Sequence, residues 1–293
     1  MNAGQFYHLC TSPLEVDIYF KTKEGMNEAL NIVAFAVFFS GCRLLAFAIM
    51  SNHFHFVLEG SLEMCEAFFK EFHQRLSVLL AGDNRQKLAK ECVPKYIRIN
   101  NLRQLKDEIA YVVRNPFVAN PNVNMFHYRW CSGYLYFNDD LPSQPQGKCV
   151  AEMSLTKRRS FSHTRTGEVD SRIMAEDGVA CATCFVDYKR AEAFFENARD
   201  YQHCLLKNVE SQVEIAKRIG DKVALDDHDM WDVVCRQCRT AYKVSGPKDL
   251  SPEDRISLAR QLKFEYNASN AQISRCLGIL RNAVDQIFPL SSR

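Results

Sequence analysis

The chain of 293 residues has almost no excess of charge of either sign, with 37 lysines and arginines against 35 acidic residues. A formal net charge of +2 gives no information about partners, so any contact with DNA must come from local basic patches. The sequence also lacks internal repeats and low-complexity tracts. With 47% hydrophobic and 25% charged residues, it has the composition of a globular protein, which excludes disorder throughout.

A long uninterrupted apolar run is missing as well. Gly41, Cys42 and Arg43 divide the most apolar stretch, residues 31–50, into two runs that are each too short to cross a bilayer. The first ten residues lack a basic segment followed by an apolar core, so we expect no secretory signal. The 12 cysteines are therefore expected in a reducing compartment rather than in a disulfide framework. These absences predict a cytoplasmic protein without membrane contact.

Apolar periodicity predicts alternating strands and helices in the first part of the chain. Ser51–Asn52 is suited to a tight turn between two strands, and Ser61 is suited to capping a helix. A further helix is expected to end at Asn115, because Pro116 disfavours helical geometry in the residue before it. The predicted strands are 5–10, 43–50, 53–59 and 95–99, and the predicted helices are 24–39, 61–82 and 102–114.

The character of the sequence changes after residue 140. Residues 141–149 are loop-like, and residues 157–168 are basic and poor in apolar side chains. From residue 185 onward the periodic segments, for example 186–201 and 209–220, predict helices. We therefore expect a first domain at 1–140, a basic linker at 141–184 and an all-α domain at 185–293.

A pair of histidines follows the predicted turn, in the segment SNHFHFVLEG. The strand period of two puts His53 and His55 on one face and Phe54 and Phe56 on the other. The phenylalanines can anchor the strand in a core, while two imidazoles on one face can bind a single divalent cation. The pattern alone leaves open that the histidines are ordinary residues on a solvent-facing surface.

A tyrosine near the end of a helix is the second candidate. Tyr111 and Asn115 are four residues apart, so they share one helix face and project together. A phenol has a pKa near 10, so a tyrosine that attacks phosphorus gains from a nearby cation. A single tyrosine on an amphipathic helix also suits a core or an interface, and this alternative stays open.

Three blocks occur in a characteristic order. As a set they resemble the REP-associated tyrosine transposases, a group of one-tyrosine HUH transposases, and the resemblance covers residues 1 to about 137. The blocks are Met50–Ser51–Asn52–His53–Phe54–His55, then Tyr111 with Asn115–Pro116, then the segment YRWCSGY at 128–134. Each block alone is weak, and the order and spacing of all three carry the resemblance.

The resemblance implies an α+β fold, with an N-terminal antiparallel-sheet HUH nuclease domain of ferredoxin-like type. It implies that His53, His55 and Asn115 bind Mg²⁺ or Mn²⁺. It further implies that Tyr111 attacks a DNA phosphate to give a 5′-phosphotyrosine and a free 3′-OH. The implied partner is single-stranded or hairpin DNA, bound by a monomer or a homodimer. A protein that binds DNA as a regulator without cutting it is the competing hypothesis.

The sequence departs from this pattern after Pro116, where relatives usually continue with Val-Arg-Ala. Here residues 117–119 are Phe-Val-Ala, so an arginine expected to contact DNA is missing. Arg114, or basic residues of the 85–106 segment such as Lys95 and Arg98, could supply that contact. A solvated charged face is the ordinary alternative for such a run.

The last part of the chain carries the spacing of a helix-turn-helix at about 251–289. Ser251 and Pro252 suit the start of a helix, and Gly278 suits a turn before a second helix near Leu280. The side chains expected to meet DNA are Arg281, Asn282 and Gln286. A three-helix cap that only packs is the alternative.

Two Cys-x-x-Cys pairs lie about 50 residues apart, Cys181 with Cys184 and Cys235 with Cys238. Zinc binding is one interpretation of such pairs. Structural zinc pairs usually lie closer together, so cysteines that fill a core are the alternative.

Overall fold

The computed structural model describes residues 4–12, 14, 17–119, 124–142, 144–206, 215, 227–266 and 268–289. The chain divides into two compact units, residues 1–206 and residues 207–293. The first unit is α+β with a four-stranded antiparallel sheet, as predicted, and helices dominate the described part of the second. Within the described ranges, no helix combines the length and apolar character needed to cross a membrane.

The first unit begins with strands and helices in alternation. Its strands are β1 (Phe6–Thr11), β2 (Arg43–Ile49), β3 (Phe54–Glu59), β4 (Pro94–Ile99), β5 (Lys148–Cys149), β6 (Met174–Glu176) and β7 (Val179–Ala180). Its helices are α1 (Lys23–Ser40), α2 (Leu62–Gly82), α3 (Gln86–Glu91), α4 (Leu102–Ala119), α5 (Leu155–Ser162), α6 (Ala182–Phe185), α7 (Tyr188–Glu192) and α8 (Ala198–Leu206).

The main sheet has the strand order β2-β3-β1-β4, and every neighbouring pair is antiparallel. Helices cover both of its faces. On one face the rings of Phe54 and Phe56 pack against Phe72 of α2, with centroid distances of 4.9 and 5.4 Å. On the other face the rings of β1 and β3 meet α4. The alternation predicted for β3 thus separates an aromatic core from a polar face.

Local signals explain both ends of α1 and the start of α2. Thr22 caps α1 by accepting from the Gly25 amide, and Ser61 caps α2 by accepting from the Met64 amide. The helix α1 ends at Gly41, which takes a left-handed φ of 73° that glycine adopts without strain.

The helix α4 continues to Ala119, so the predicted end at Asn115 is wrong. Pro116 lies inside α4 and costs the hydrogen bond that its missing N–H would have made. Val112, Val113 and Pro116 are buried, so the packing of this helix against the sheet outweighs the local preference of the residue before proline.

The segment predicted as a basic linker, 141–184, belongs to the first unit and carries secondary structure there. Its strands form a small sheet in the order β5-β6-β7. The buried Asn31 of α1 fixes this sheet by donating to the Gly178 carbonyl at 3.1 Å and accepting from the Ala180 amide at 2.7 Å. Phe161 of α5 packs on Phe35 of α1. The first unit therefore extends to residue 206 instead of 140.

The third block of the resemblance, 128–134, closes the outer edge of β2. The Ile49 amide donates to the Trp130 carbonyl at 2.8 Å, and the Phe47 amide donates to the Ser132 hydroxyl at 3.0 Å. A Cβ at Gly133 would lie 2.8 Å from the Val113 side chain of α4. The block therefore ties β2 to α4 at a distance that only glycine permits.

The described helices of the second unit are α9 (Asp227–Thr240), α10 (Pro252–Glu265), α11 (Asn270–Leu277) and α12 (Arg281–Ile287). Buried Asn270 connects three of these helices at their ends. It accepts from Lys263 Nζ at 2.8 Å, and it donates to Asp285 Oδ1 at 2.8 Å and to the Phe288 carbonyl at 2.9 Å. Most of the predicted helix 209–220 lies outside the described residues.

Candidate metal and tyrosine site

The polar face of the main sheet is built by the alternation of β1 and β3. In the antiparallel register Cys10 pairs with His55 and His8 pairs with Val57, so these side chains share the face that meets α4. The strand β3 begins at Phe54, and His53 precedes it as the last residue of a turn in which the Met50 amide donates to the His53 carbonyl. The predicted turn at Ser51–Asn52 is therefore confirmed.

Three elements bring aromatic side chains together at this face. The ring centroids of His53 and His55 lie 4.8 Å apart, and those of His55 and Tyr111 lie 5.7 Å apart. The ring of His8 lies 5.3 Å from that of His55 and 6.0 Å from that of Tyr111. Two of the predicted blocks, the histidine pair and the tyrosine helix, thus meet in space.

Hydrogen bonds fix the histidine rings. His8 Nδ1 lies 2.7 Å from Glu108 Oε2, and His8 Nε2 lies 3.1 Å from His55 Nδ1. His53 Nδ1 lies 2.8 Å from Asn52 Oδ1. The Nε2 atoms of His53 and His55 are both buried. Both predicted metal-binding histidines, His53 and His55, are therefore oriented by a hydrogen bond at Nδ1.

The donor atoms around His55 suit a metal ion. His8, Cys10 and His55 are all buried, and each offers a ligand atom within 4.8 Å of the others. Transition metals prefer imidazole nitrogens and thiols as donors, whereas Mg²⁺ prefers oxygen donors. This group could bind a metal, and His8 and Cys10 were not among the residues predicted from the sequence.

The other two predicted residues of α4 are in different surroundings. Asn115 is partly exposed one turn after Tyr111, and its Nδ2 donates to the Tyr111 carbonyl at 3.4 Å. This contact leaves Oδ1 as the atom of Asn115 suited to a cation. Arg114, predicted to contact DNA, is buried, so its guanidinium is largely withdrawn from solvent.

The two basic residues predicted on β4 lie on opposite faces of the sheet. Lys95 pairs with Cys10 in the register of β1 and β4, so it shares the histidine face. Arg98 pairs with Tyr7 and is exposed on the opposite face, away from Tyr111. Two other cations of the same segment make ion pairs within the unit, Arg85 with Asp17 and Lys106 with Asp200.

Part of the chain is similar to a solved structure of a REP-associated tyrosine transposase bound to a REP hairpin. The two share 10% identity over 46% of this chain and 79% of the other, with a TM-score of 0.34. No protein-family model matches the chain, and no curated protein matches it. No conclusion about function follows from a similarity of this size.

In the second unit, the predicted DNA-contacting residues lie on α12. Arg281 pairs with Asp285 at 3.0 Å on the same helix, while Asn282 and Gln286 are exposed. The hydrogen bond from Asn270 and the ion pair with Arg281 hold the pKa of Asp285 below its ordinary value. Gly278, with a left-handed φ of 64°, begins the short turn between α11 and α12.

The two Cys-x-x-Cys pairs fall in different units. Cys181 and Cys184 flank the start of α6, where Cys181 Sγ donates to the Gln146 carbonyl at 2.9 Å. Burial raises the pKa of Cys184 to about 11, so its thiol stays protonated at neutral pH. Cys235 and Cys238 lie on α9, where Cys238 is buried. These environments match small side chains that fill gaps.

Proposed function

We propose that the first unit is a metal-dependent single-strand DNA endonuclease and strand transferase with Tyr111 as its nucleophile. The observation that carries this proposal is the contact of the Tyr111 ring with the rings of His8 and His55. These three residues are far apart in sequence and come from three separate elements. The sheet order and the α+β class further support the ferredoxin-like assignment, which is part of the same proposal.

The proposed cation is Mg²⁺ or Mn²⁺. His53 and His55 would hold it through their buried Nε2 atoms, and Asn115 through its amide oxygen. When bound, the cation polarises the phosphoryl oxygen and offsets the charge that develops at phosphorus. Because two of these ligands are imidazoles, Mn²⁺ is the better probe of the site.

In the proposed reaction, the phenolic oxygen of Tyr111 attacks a phosphorus atom of single-stranded or hairpin DNA. The bond between phosphorus and O3′ breaks as the tyrosine–phosphorus bond forms. The phenol gives up one proton and the leaving oxygen takes up one, which yields a 5′-phosphotyrosine and a free 3′-OH. The covalent bond retains the energy of the phosphodiester, so rejoining needs no ATP.

The test uses hairpin-bearing single strands from the DNA that flanks the gene, incubated with the full chain and Mn²⁺. A 3′-end label follows the fragment that becomes attached to protein, and denaturing electrophoresis detects the adduct. We expect the wild type to form an adduct and Tyr111→Phe to form none. His53→Ala should reduce the amount of adduct by about 100-fold or more, because it removes a metal ligand. Tyr7→Phe is the matched control, because Tyr7 lies on the opposite face of β1, and it should retain the adduct.

A non-catalytic DNA-binding protein is the second candidate function. It is favoured by the burial of the proposed nucleophile, since Tyr111 is 7% exposed and His55 is fully buried. This candidate predicts DNA binding that survives both Tyr111→Phe and His53→Ala, together with no adduct from the wild-type protein. A wild-type adduct on any of the tested strands would exclude it.

A further inference from the structure

A chain of three buried side chains runs from α4 through β1 to β3. Glu108, His8 and His55 are each 0% exposed, and they are joined by the hydrogen bonds of 2.7 and 3.1 Å described above. Burying a carboxylate and two imidazoles costs free energy unless each polar atom has a partner. A purely structural contact between α4 and the sheet is made more cheaply by apolar residues, so this chain calls for another explanation.

The order of donors and acceptors follows from the chemistry of the groups. With Glu108 ionised, its carboxylate only accepts, and His8 then donates to it through Nδ1–H. In a neutral His8 the other nitrogen, Nε2, is then an acceptor, and His55 must donate to it through Nδ1–H. In this tautomer the lone pair of His55 belongs to Nε2, the atom proposed to bind the cation.

We propose that His8 and Glu108 are positioning residues that hold His55 in the tautomer and orientation required for metal binding. This inference rests on the proposed function, because it assigns the metal-binding role to His55. A histidine that binds a metal commonly donates the N–H of its other ring nitrogen to a neighbouring acceptor. Removal of that acceptor weakens metal binding about 10- to 100-fold. His53 has a similar arrangement, with Asn52 Oδ1 beside its Nδ1.

The alternative role for His8 is that of a direct ligand, together with Cys10. The hydrogen bond with His55 favours the positioning role, because it occupies the ring nitrogen of His8 that a metal would need. His8 Nδ1 is already bonded to Glu108. The positioning role thus uses both nitrogens of His8 as the structure has them.

The test compares two substitutions of similar size in the full-length protein. In His8→Gln an amide oxygen can still accept from His55, whereas in His8→Met no acceptor remains. Mn²⁺ affinity is measured by electron paramagnetic resonance, Co²⁺ coordination by absorption spectroscopy, and folding by thermal unfolding. We expect His8→Met to weaken Mn²⁺ binding about 10- to 100-fold, and His8→Gln to restore most of the affinity with unchanged Co²⁺ bands.

His163→Gln is the matched control, because His163 forms a different histidine–carboxylate pair, with Glu28 at 2.8 Å. It should leave Mn²⁺ affinity unchanged. If His8→Met does not fold, Glu108→Leu takes its place, since it removes the acceptor that orients His8 and is expected to weaken Mn²⁺ binding in the same way.

The outcomes separate this inference from the proposed function. A wild-type protein that binds neither Mn²⁺ nor Co²⁺ would overturn both. Binding that His53→Ala removes but His8→Met leaves at full strength would overturn the positioning role alone. A change of the Co²⁺ bands in His8→Gln would also overturn it, because it would show His8 to be a ligand.

Discussion

At the scale of single residues, several buried polar groups of the first unit lie together where the sheet meets α4. His8, His55 and Glu108 are fully buried there, and His53 and Arg114 are nearly so. Each such group lowers the stability of the fold unless it is hydrogen bonded. A cluster of buried polar groups therefore indicates a functional site rather than a contribution to folding. Stability of the surrounding fold must come from other contacts.

One such contact is the ion pair between Lys106 of α4 and Asp200 of α8, at 2.7 Å. The hydrogen bond from Lys106, followed by the Glu196 amide, lowers the pKa of Asp200 below its ordinary value of 3.8. A carboxylate with a lowered folded pKa stabilises the folded state above its unfolded pKa, and this contribution is lost as the pH falls. The pair therefore stabilises the first unit at neutral pH.

We expect Asp200→Asn to lower the melting temperature at about pH 7. As the pH is lowered from about 6 to about 3, the melting temperature of the variant should fall less steeply than that of the wild type. The wild type should lose more stability over that range than the variant does. Thermal unfolding followed by circular dichroism at several pH values measures both slopes. Asp140→Asn, at an exposed position after the main sheet, is the control and should follow the wild type. Equal slopes for wild type and Asp200→Asn would contradict the prediction.

Some residues of the candidate site were accessible from the sequence and others were not. His53, His55 and Tyr111 were predicted because they fall in recognisable blocks. His8 and Cys10 were missed, although alternation in β1 puts both on one face, because a six-residue strand does not indicate its partner strand. Glu108 shares a helix face with Tyr111, but only the fold shows that a histidine lies opposite it.

At the scale of elements, the segment 141–184 shows how short strands escape prediction. Its strands have two or three residues, which is too few for a period of two to emerge. The one local signal was Asp177–Gly178, a dipeptide typical of hairpin turns, and both residues have positive φ values of 50° and 79°. The basic composition of the segment hid a folded subdomain that packs on α1.

Two glycines test whether this segment is folded. Gly147 and Gly178 both have positive φ, but a Cβ at Gly147 would lie 2.3 Å from the Ala175 carbonyl oxygen, whereas a Cβ at Gly178 meets nothing within 4 Å. We expect Gly178→Ala to cost about 1 kcal/mol, from backbone strain alone. Gly147→Ala should cost clearly more, because the backbone of β6 must shift.

Urea unfolding of the full chain, followed by Trp130 fluorescence in a Trp231→Phe background, measures both changes in the first unit. Because the sequence has two tryptophans, this background leaves a single reporter there. A flexible linker would tolerate both substitutions equally. Equal unfolding midpoints for the two variants and the parent would therefore contradict the packed hairpin.

At the scale of the whole molecule, the two units carry different chemical groups. The first holds the histidines and Tyr111, with only Lys95 of the predicted basic residues on the same face of the sheet. The second holds α11 and α12, joined by a short turn that begins at Gly278, and exposed polar side chains on α12. Under the proposed function, this division predicts that cutting and binding of DNA are separable, with the second unit contributing to affinity.

Arg281→Gln tests that separation. If α12 meets DNA, removing this cation should weaken binding of hairpin DNA and lower the slope of log Kd against log salt by about 1, because one phosphate contact is lost. The rate of adduct formation at saturating DNA should stay unchanged, since Tyr111 lies in the other unit. Binding is measured by fluorescence anisotropy at several salt concentrations.

Arg239→Gln on α9 is the matched control, because it removes the same charge from an exposed position of the same unit outside the predicted helix-turn-helix. A smaller effect than that of Arg281→Gln is expected, since a charge away from the DNA acts only through the screened field of the protein. Equal losses of affinity would mean that binding follows net charge rather than α12. Unchanged affinity in both variants would favour the alternative in which α10, α11 and α12 form a cap that only packs.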